Sequence, residues 1–203
     1  MRTRFALLMT IAAVSVTAGA QTTMAQQPHS EPELALTYSY LRSNTPVAVC
    51  GCFSPQGGSA SFAFPVSLRG MGGRFAPLVD VTVAHAGGIS SGGYDLTVSA
   101  FTAGLRYRPN FATGPVRPFA HVLAGGAHAS GLLVSGNTPA AGASAVFASQ
   151  VGGGVDLTPK SAGWISFRLV EADYLVTLFK NGDNDHQNML RLSTGVVFRF
   201  GHF

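Results

Sequence analysis

Three groups of residues in this 203-residue chain have types and spacings suited to chemistry. The first is His128-Ala129-Ser130. Residues two apart in a strand point to one face, so an imidazole base would stand beside a hydroxyl nucleophile, as covalent catalysis requires. Read without catalysis, the pair is a polar strand end entering a Ser/Gly-rich loop. The second group is Cys50-Gly51-Cys52. In an oxidising compartment this pair fits a small, strained disulfide loop or two free thiols. A zinc site wants about four ligands, and no neighbouring His or Cys supplies the rest. The third group is charged: Asp80, Arg106, Arg117, Asp156, Arg168, Glu171, Asp173, Arg191 and Arg199 can all fall on the polar parity of alternating segments.

The elements that position these residues are strands. Leu190 to Phe200 carries large apolar residues on one parity and Arg191, Ser193, Gly195 and Arg199 on the other, which is the period of a strand with one apolar and one polar face. Seven further candidates precede it: Glu33–Arg42, Gly58–Leu68, Phe75–Ala86, Tyr94–Arg108, Val116–His128, Phe147–Leu157 and Trp164–Phe179. The fourth is the clearest, with Phe101, Ala103, Leu105 and Tyr107 opposite Thr102, Gly104, Arg106 and Arg108. The fifth does not phase, because Phe119, Val122 and Leu123 do not share a parity. In the seventh, Ile165, Phe167 and Leu169 are followed by Glu171 and Asp173 on the same parity, so a β-bulge near Leu169–Val170 is expected to return the acids to the polar face.

Composition sets the compartment and excludes several classes. Arg2 and Arg4, the apolar run Phe5–Val16 and Ala18-Gly19-Ala20 read as a secretory signal peptide over residues 1–20, with cleavage after Ala25 as the alternative. Residues 21–32 read as a flexible leader and 33–203 as one domain. Removing Arg2 and Arg4 from the 13 basic residues leaves 11 against 9 acidic ones, with no basic cluster, so nucleic acid is not an expected partner. No later segment has the 18 or more apolar residues of a membrane helix. A chain that spans a membrane with strands must close them into a barrel, since an open edge leaves backbone groups unpaired in hydrocarbon. Connections after strands one, five and seven (Ser43–Gly57, Ala129–Ala145, Lys180–Gln187) are long. Those after two, four and six (Arg69–Arg74, Pro109–Pro115, Thr158–Gly163) are short, the asymmetry of outer-membrane barrels. Gly87–Gly93 is the exception. Gly152-Gly153-Gly154 lacks the Lys-Ser/Thr and helix of a phosphate loop. Trp164 and the tyrosines suit membrane-interface girdles.

With Arg117-Pro118-Phe119-Ala120 before Gly125-Gly126, the triple glycine before Asp156, and the closing Phe198-Arg199-Phe200, the chain resembles the OmpA-type small outer-membrane β-barrels from about Glu33 to Phe200. The resemblance implies an all-β, eight-stranded, antiparallel up-and-down transmembrane barrel. It also implies that barrel-assembly machinery reads the last strand as an insertion signal, with Val196, Phe198 and Phe200 on the lipid face and Gly201-His202-Phe203 overhanging. Counting from Phe203 would put Arg199 in lipid. His128 and Ser130 further resemble the His-x-Ser pair of the outer-membrane lipid A deacylases. That family also needs an acid about a dozen residues on, and Gly131–Val155 holds no Asp or Glu.

The expectation is therefore a non-enzymatic barrel of the cell outer membrane, with a structural or surface-interaction role and no cofactor or metal. Its partners would be outer-membrane lipid and the assembly machinery. In an eight-stranded barrel the interior is just filled by side chains, so charges there must pair. A lipid-modifying enzyme using His128 and Ser130, a narrow pore, and a secreted soluble lipid-binding barrel are the alternatives.

Overall fold

The computed structural model describes residues 31–43, 54–64, 68–70, 72–89, 94–111, 114–135, 138–141, 144–161, 163–179 and 185–200. They form ten strands: β1 (Glu33–Ser43), β2 (Gln56–Ala63), β3 (Leu68–Gly70), β4 (Gly73–Ile89), β5 (Tyr94–Pro109), β6 (Val116–Ser135), β7 (Thr138–Ala141), β8 (Ser144–Leu157), β9 (Ile165–Thr177) and β10 (Gln187–Arg199). Eight of them form one antiparallel ring, in the order β2-β1-β10-β9-β8-β6-β5-β4, and β2 pairs with β4 to close it. Closure leaves no strand edge in the wall, which an apolar surround demands. The expected all-β, eight-stranded fold is the observed one.

Side chains alternate across the wall. On β4, Asp80, Thr82 and Ala84 are buried while Val81, Val83 and His85 are exposed. On β5, Thr102 and Arg106 are buried while Phe101, Ala103 and Leu105 are exposed. The buried parity faces a narrow lumen and the apolar parity faces out. The bulge on β9 is present. Ser193 pairs with Glu171 but Gly195 pairs with Arg168, so β9 carries one extra residue. Leu169 and Val170 are consequently both outside, and Arg168, Glu171 and Asp173 all point in.

Three expectations change. The second strand does not run unbroken to Leu68. It ends at Ala63, two residues before Pro65, which has no N–H to give a ladder. The short β3 then pairs with the start of β4, Gly70 opposite Gly73, in a hairpin with Gly72 at φ 72°. The fifth strand does not stop at His128; β6 continues to Ser135 and pairs with β7, so much of the expected loop Ala129–Ala145 is a hairpin projecting past the barrel. The hairpin leaves the wall at Gly131, whose φ of 111° suits glycine and whose position would drive a Cβ into the Asp95 carbonyl. The difficulty in phasing this strand also has a cause. Phe119 and Leu123 both face inward, beside the outward Val122.

The lumen has two layers. Toward the open ends of β1 and β6, it is apolar: Leu41, Leu96, Val98, Leu175, Phe179 and Met189 pack together with alanines of β4 to β8. Toward the chain termini it is charged. Outside, aromatic residues gather at the terminal end, where Phe75 contacts Tyr107 at 5.0 Å and Trp164 stacks on Phe198 at 6.3 Å between centroids. Such a girdle is typical of a membrane boundary.

Candidate functional site

The charged layer is one continuous network of alternating sign. At the mouth, Glu33 accepts from Arg106 Nη1 at 2.7 Å, Arg108 Nη2 at 3.0 Å and Arg199 Nε at 3.2 Å. Arg108 reaches on to Asp156 Oδ2 at 2.7 Å. Arg168 donates to the other oxygen of Asp156 at 2.9 Å and to Glu171 Oε2 at 2.7 Å. Deeper in, Arg191 binds Glu171 Oε1 at 3.1 Å, Asp173 Oδ2 at 2.7 Å and Asp80 Oδ1 at 2.9 Å, and also donates to the Thr82 hydroxyl. Ser39 and Ser193 join hydroxyls at 2.9 Å beside it. Five of the nine acidic residues of the chain lie in this space, so its charge is matched internally rather than left for an ion to satisfy.

Of the charges read from the sequence, Asp80, Arg106, Asp156, Arg168, Glu171, Asp173, Arg191 and Arg199 meet in this network. Arg117 lies beside it, near Glu33, Arg108 and Arg199, but among the described residues it makes no ion pair with the network; it is half-buried, and its Nε makes no hydrogen bond. Three members were not singled out. Glu33 and Arg108 lie on the polar parity of their strands, so the alternation itself marks them. His121 lies on the strand that resists phasing. It sits 2.9 Å from Asp173 Oδ1 and 3.3 Å from Gln150. Phe119 is inside because a cation covers it: the Arg168 guanidinium sits 4.4 Å from its ring centroid. Gly152 gives Asp173 its room, since a Cβ there would strike Asp173 Oδ1 and the Ala172 carbonyl.

His121, Glu171 and Asp173 bring one potential metal-ligand atom each within 4.8 Å of the others. Both carboxylates are already engaged by Arg191, and Glu171 also by Arg168. A cation entering there would face two guanidinium groups, so the triad reads as part of the ion-pair network. Cys50 and Cys52 lie outside the described residues.

His128 and Ser130 are elsewhere. Both are exposed on the outer wall, in register with Ser99 and Thr97 of β5. The nearby His85 bonds Thr97 Oγ1 through Nδ1 at 3.0 Å. Among the described residues no carboxylate is bonded to His128 or Ser130; Asp95 accepts instead from the Gly88 N–H, at 3.4 Å. On β10, Val196 and Phe198 are partly exposed and Phe200 is exposed on the outer face, while Arg199 is buried against Glu33.

No family model matches the sequence. No curated protein matches it either. Solved structures do. Neisserial surface protein A superposes with a TM-score of 0.55 at 16% identity, over 83% of this chain and 97% of that one. Ail, the attachment invasion locus protein of Yersinia pestis, gives 0.53 at 14% identity, over 84% and 99%. The outer membrane enzyme PagL gives 0.52 at 16% identity, over 80% and 98%. The fold is that of a small outer-membrane β-barrel. At these identities the likeness carries architecture and no activity, since barrels of this kind include both surface proteins and an enzyme.

Proposed function

We propose that this protein is a non-conducting, non-enzymatic barrel of the outer membrane with a structural or surface-interaction role. One observation carries the reading: the lumen is closed twice over, by a charge-matched network and by an apolar plug stacked on it. A water path would have to cross both. The hairpin of β6 and β7 stands at the end opposite the termini; with both chain ends on the periplasmic side in this reading, it faces the cell exterior and offers the contact surface. Export through a cleaved signal peptide over residues 1–20, and recognition of Val196, Phe198 and Phe200 by the barrel-assembly machinery, belong to the same reading.

A lipid-modifying role would need His128 to be oriented as a base, and neither the bonds described for it nor the segment Gly131–Val155 supplies an acid. The test is direct. Expressed in a Gram-negative host, the full chain is expected in the outer-membrane fraction, with heat-modifiable gel migration, and silent in planar bilayers. Recovery as a soluble protein without the heat shift, or stepwise single-channel current, would overturn the proposal.

A further inference from the structure

The guanidinium groups at the terminal mouth of the barrel carry more donors than their neighbours can accept. Among the described residues, Arg106 Nε, Arg108 Nε and Nη1, Arg117 Nε and Arg199 Nη2 are buried N–H groups with no hydrogen-bond partner. Arg106 and Arg199 are each only 6% exposed. Buried donors on charged groups are costly to leave unmet, and five of them gathered in one place point to an acceptor from outside the chain. The four side chains converge. Arg106, Arg108 and Arg199 share the Glu33 carboxylate, at 2.7, 3.0 and 3.2 Å, and Arg117 stands beside Arg108 and Arg199.

The charge is uneven in the same sense. The network itself pairs five guanidinium groups with five carboxylates, but Asp80, Glu171 and Asp173 gather round Arg191 at the inner end. Arg168 bridges the two ends through Asp156 and Glu171. On the mouth side Arg106, Arg108, Arg117 and Arg199 face Glu31, Glu33 and one oxygen of Asp156. Four cations thus stand against two whole carboxylates and a share of a third. An anion is attracted to the mouth and repelled by the acids behind it, so it stops there and the lumen stays closed.

The mouth lies at an accessible depth. Tyr107, between Arg106 and Arg108, and Phe198, next to Arg199, belong to the outer aromatic contacts at this end, the level of lipid headgroups and water. Arg117 is half-buried, and the Arg108 side chain is 16% exposed, which leaves an approach from the aqueous side.

We propose that this mouth binds one phosphate group, held by Arg106, Arg108, Arg117 and Arg199. The oxygens of a phosphate point in tetrahedral directions and can meet guanidinium groups from three strands, whereas the two oxygens of a carboxylate share one plane. A phospholipid headgroup and inorganic phosphate present the same chemistry. The site needs only that the barrel forms, and is independent of the surface role proposed above.

Full-length protein refolded in detergent micelles is dialysed to equilibrium against radiolabelled inorganic phosphate at constant ionic strength. Wild type is expected to bind one phosphate per chain, saturably. Arg117→Gln removes the cation that lies outside the ion-pair network and should weaken binding by about tenfold or more. Arg117→Lys, which keeps the charge and loses the fork, should fall between the two. Lys160→Gln removes the same charge from an exposed turn and should bind like wild type. Heat-modifiable migration of each variant reports separately on the barrel. Absence of saturable binding in wild type, equal weakening in K160Q and R117Q, or acetate competing as well as phosphate would overturn the inference. Native mass spectrometry of wild type extracted from outer membranes separates the sources. A retained phospholipid that R117Q lacks identifies a headgroup, and binding of inorganic phosphate without retained lipid identifies a solute; either result supports the site.

Discussion

Replacing Arg191 by Met keeps much of the side-chain volume and removes the charge. Arg191 is fully buried and is bound to Asp80, Glu171 and Asp173. Two of these acids keep another partner, Glu171 through Arg168 and Asp173 through His121. Among the described residues Asp80 has none but the Thr82 hydroxyl, at 2.9 Å. The loss is therefore concentrated on one orphaned carboxylate. Breaking a buried pair from one side costs about 3–5 kcal/mol, a large share of the roughly 5–15 kcal/mol that holds a domain together. At a urea slope of about 2 kcal/mol per molar, the unfolding midpoint should fall by roughly 2 M. The assay is urea titration of protein refolded in detergent micelles, followed by gel migration without heating and by Trp164 fluorescence. Adding Asp80→Asn to R191M should recover about half of the loss, because the residue left behind no longer carries charge. A midpoint for R191M equal to wild type, or a double variant weaker than R191M alone, would refute the electrostatic account of the lumen.

Two further outcomes follow from the backbone. Deleting Leu169 removes the extra residue of the β9 bulge and leaves Arg168, Glu171 and Asp173 facing inward, so the barrel should still form; deleting Val176, which shifts the parity of the strand end, should cost more, and the order of the two urea midpoints decides. Gly131→Val forces a β-branched residue into φ 111° against the Asp95 carbonyl, at a cost of about 1–3 kcal/mol; proteolysis of the β6–β7 hairpin should quicken in that variant and not in Gly126→Ala, and equal rates would refute the argument.

The sequence was legible where the two faces of the wall differ chemically. On the terminal half of β5, polar residues alternate with Phe101, Leu105 and Tyr107, and on β9 the misplaced acids themselves marked the bulge. Legibility failed where inside and outside look alike. In the outer half of the barrel the plug makes the lumen apolar, so Leu96, Val98 and Ala100 face inward from positions that pattern alone assigns to neither side. His121 was hidden for the same reason, because its neighbours Phe119 and Leu123 are inward apolar residues. The hairpin beyond Gly131 reads as loop in the sequence, since its Gly, Ser and Ala composition carries no alternation.

The position of Glu33 bears on how the chain completes itself. This acid opens the first strand, and its bond to Arg199 spans 166 residues to the end of the last. Until β10 arrives alongside β1, the two charges remain hydrated and apart; once the circle is joined in the observed alignment they coincide, with Arg106 already waiting. A slip of two residues at that seam would keep every apolar side chain facing lipid and leave Glu33 with Arg106 and Arg108, yet it would take Arg199 away from the one carboxylate that pairs with it among the described residues. Hydrophobic patterning fixes which way each strand faces, and the Glu33–Arg199 latch tells the correct closure from its near misses.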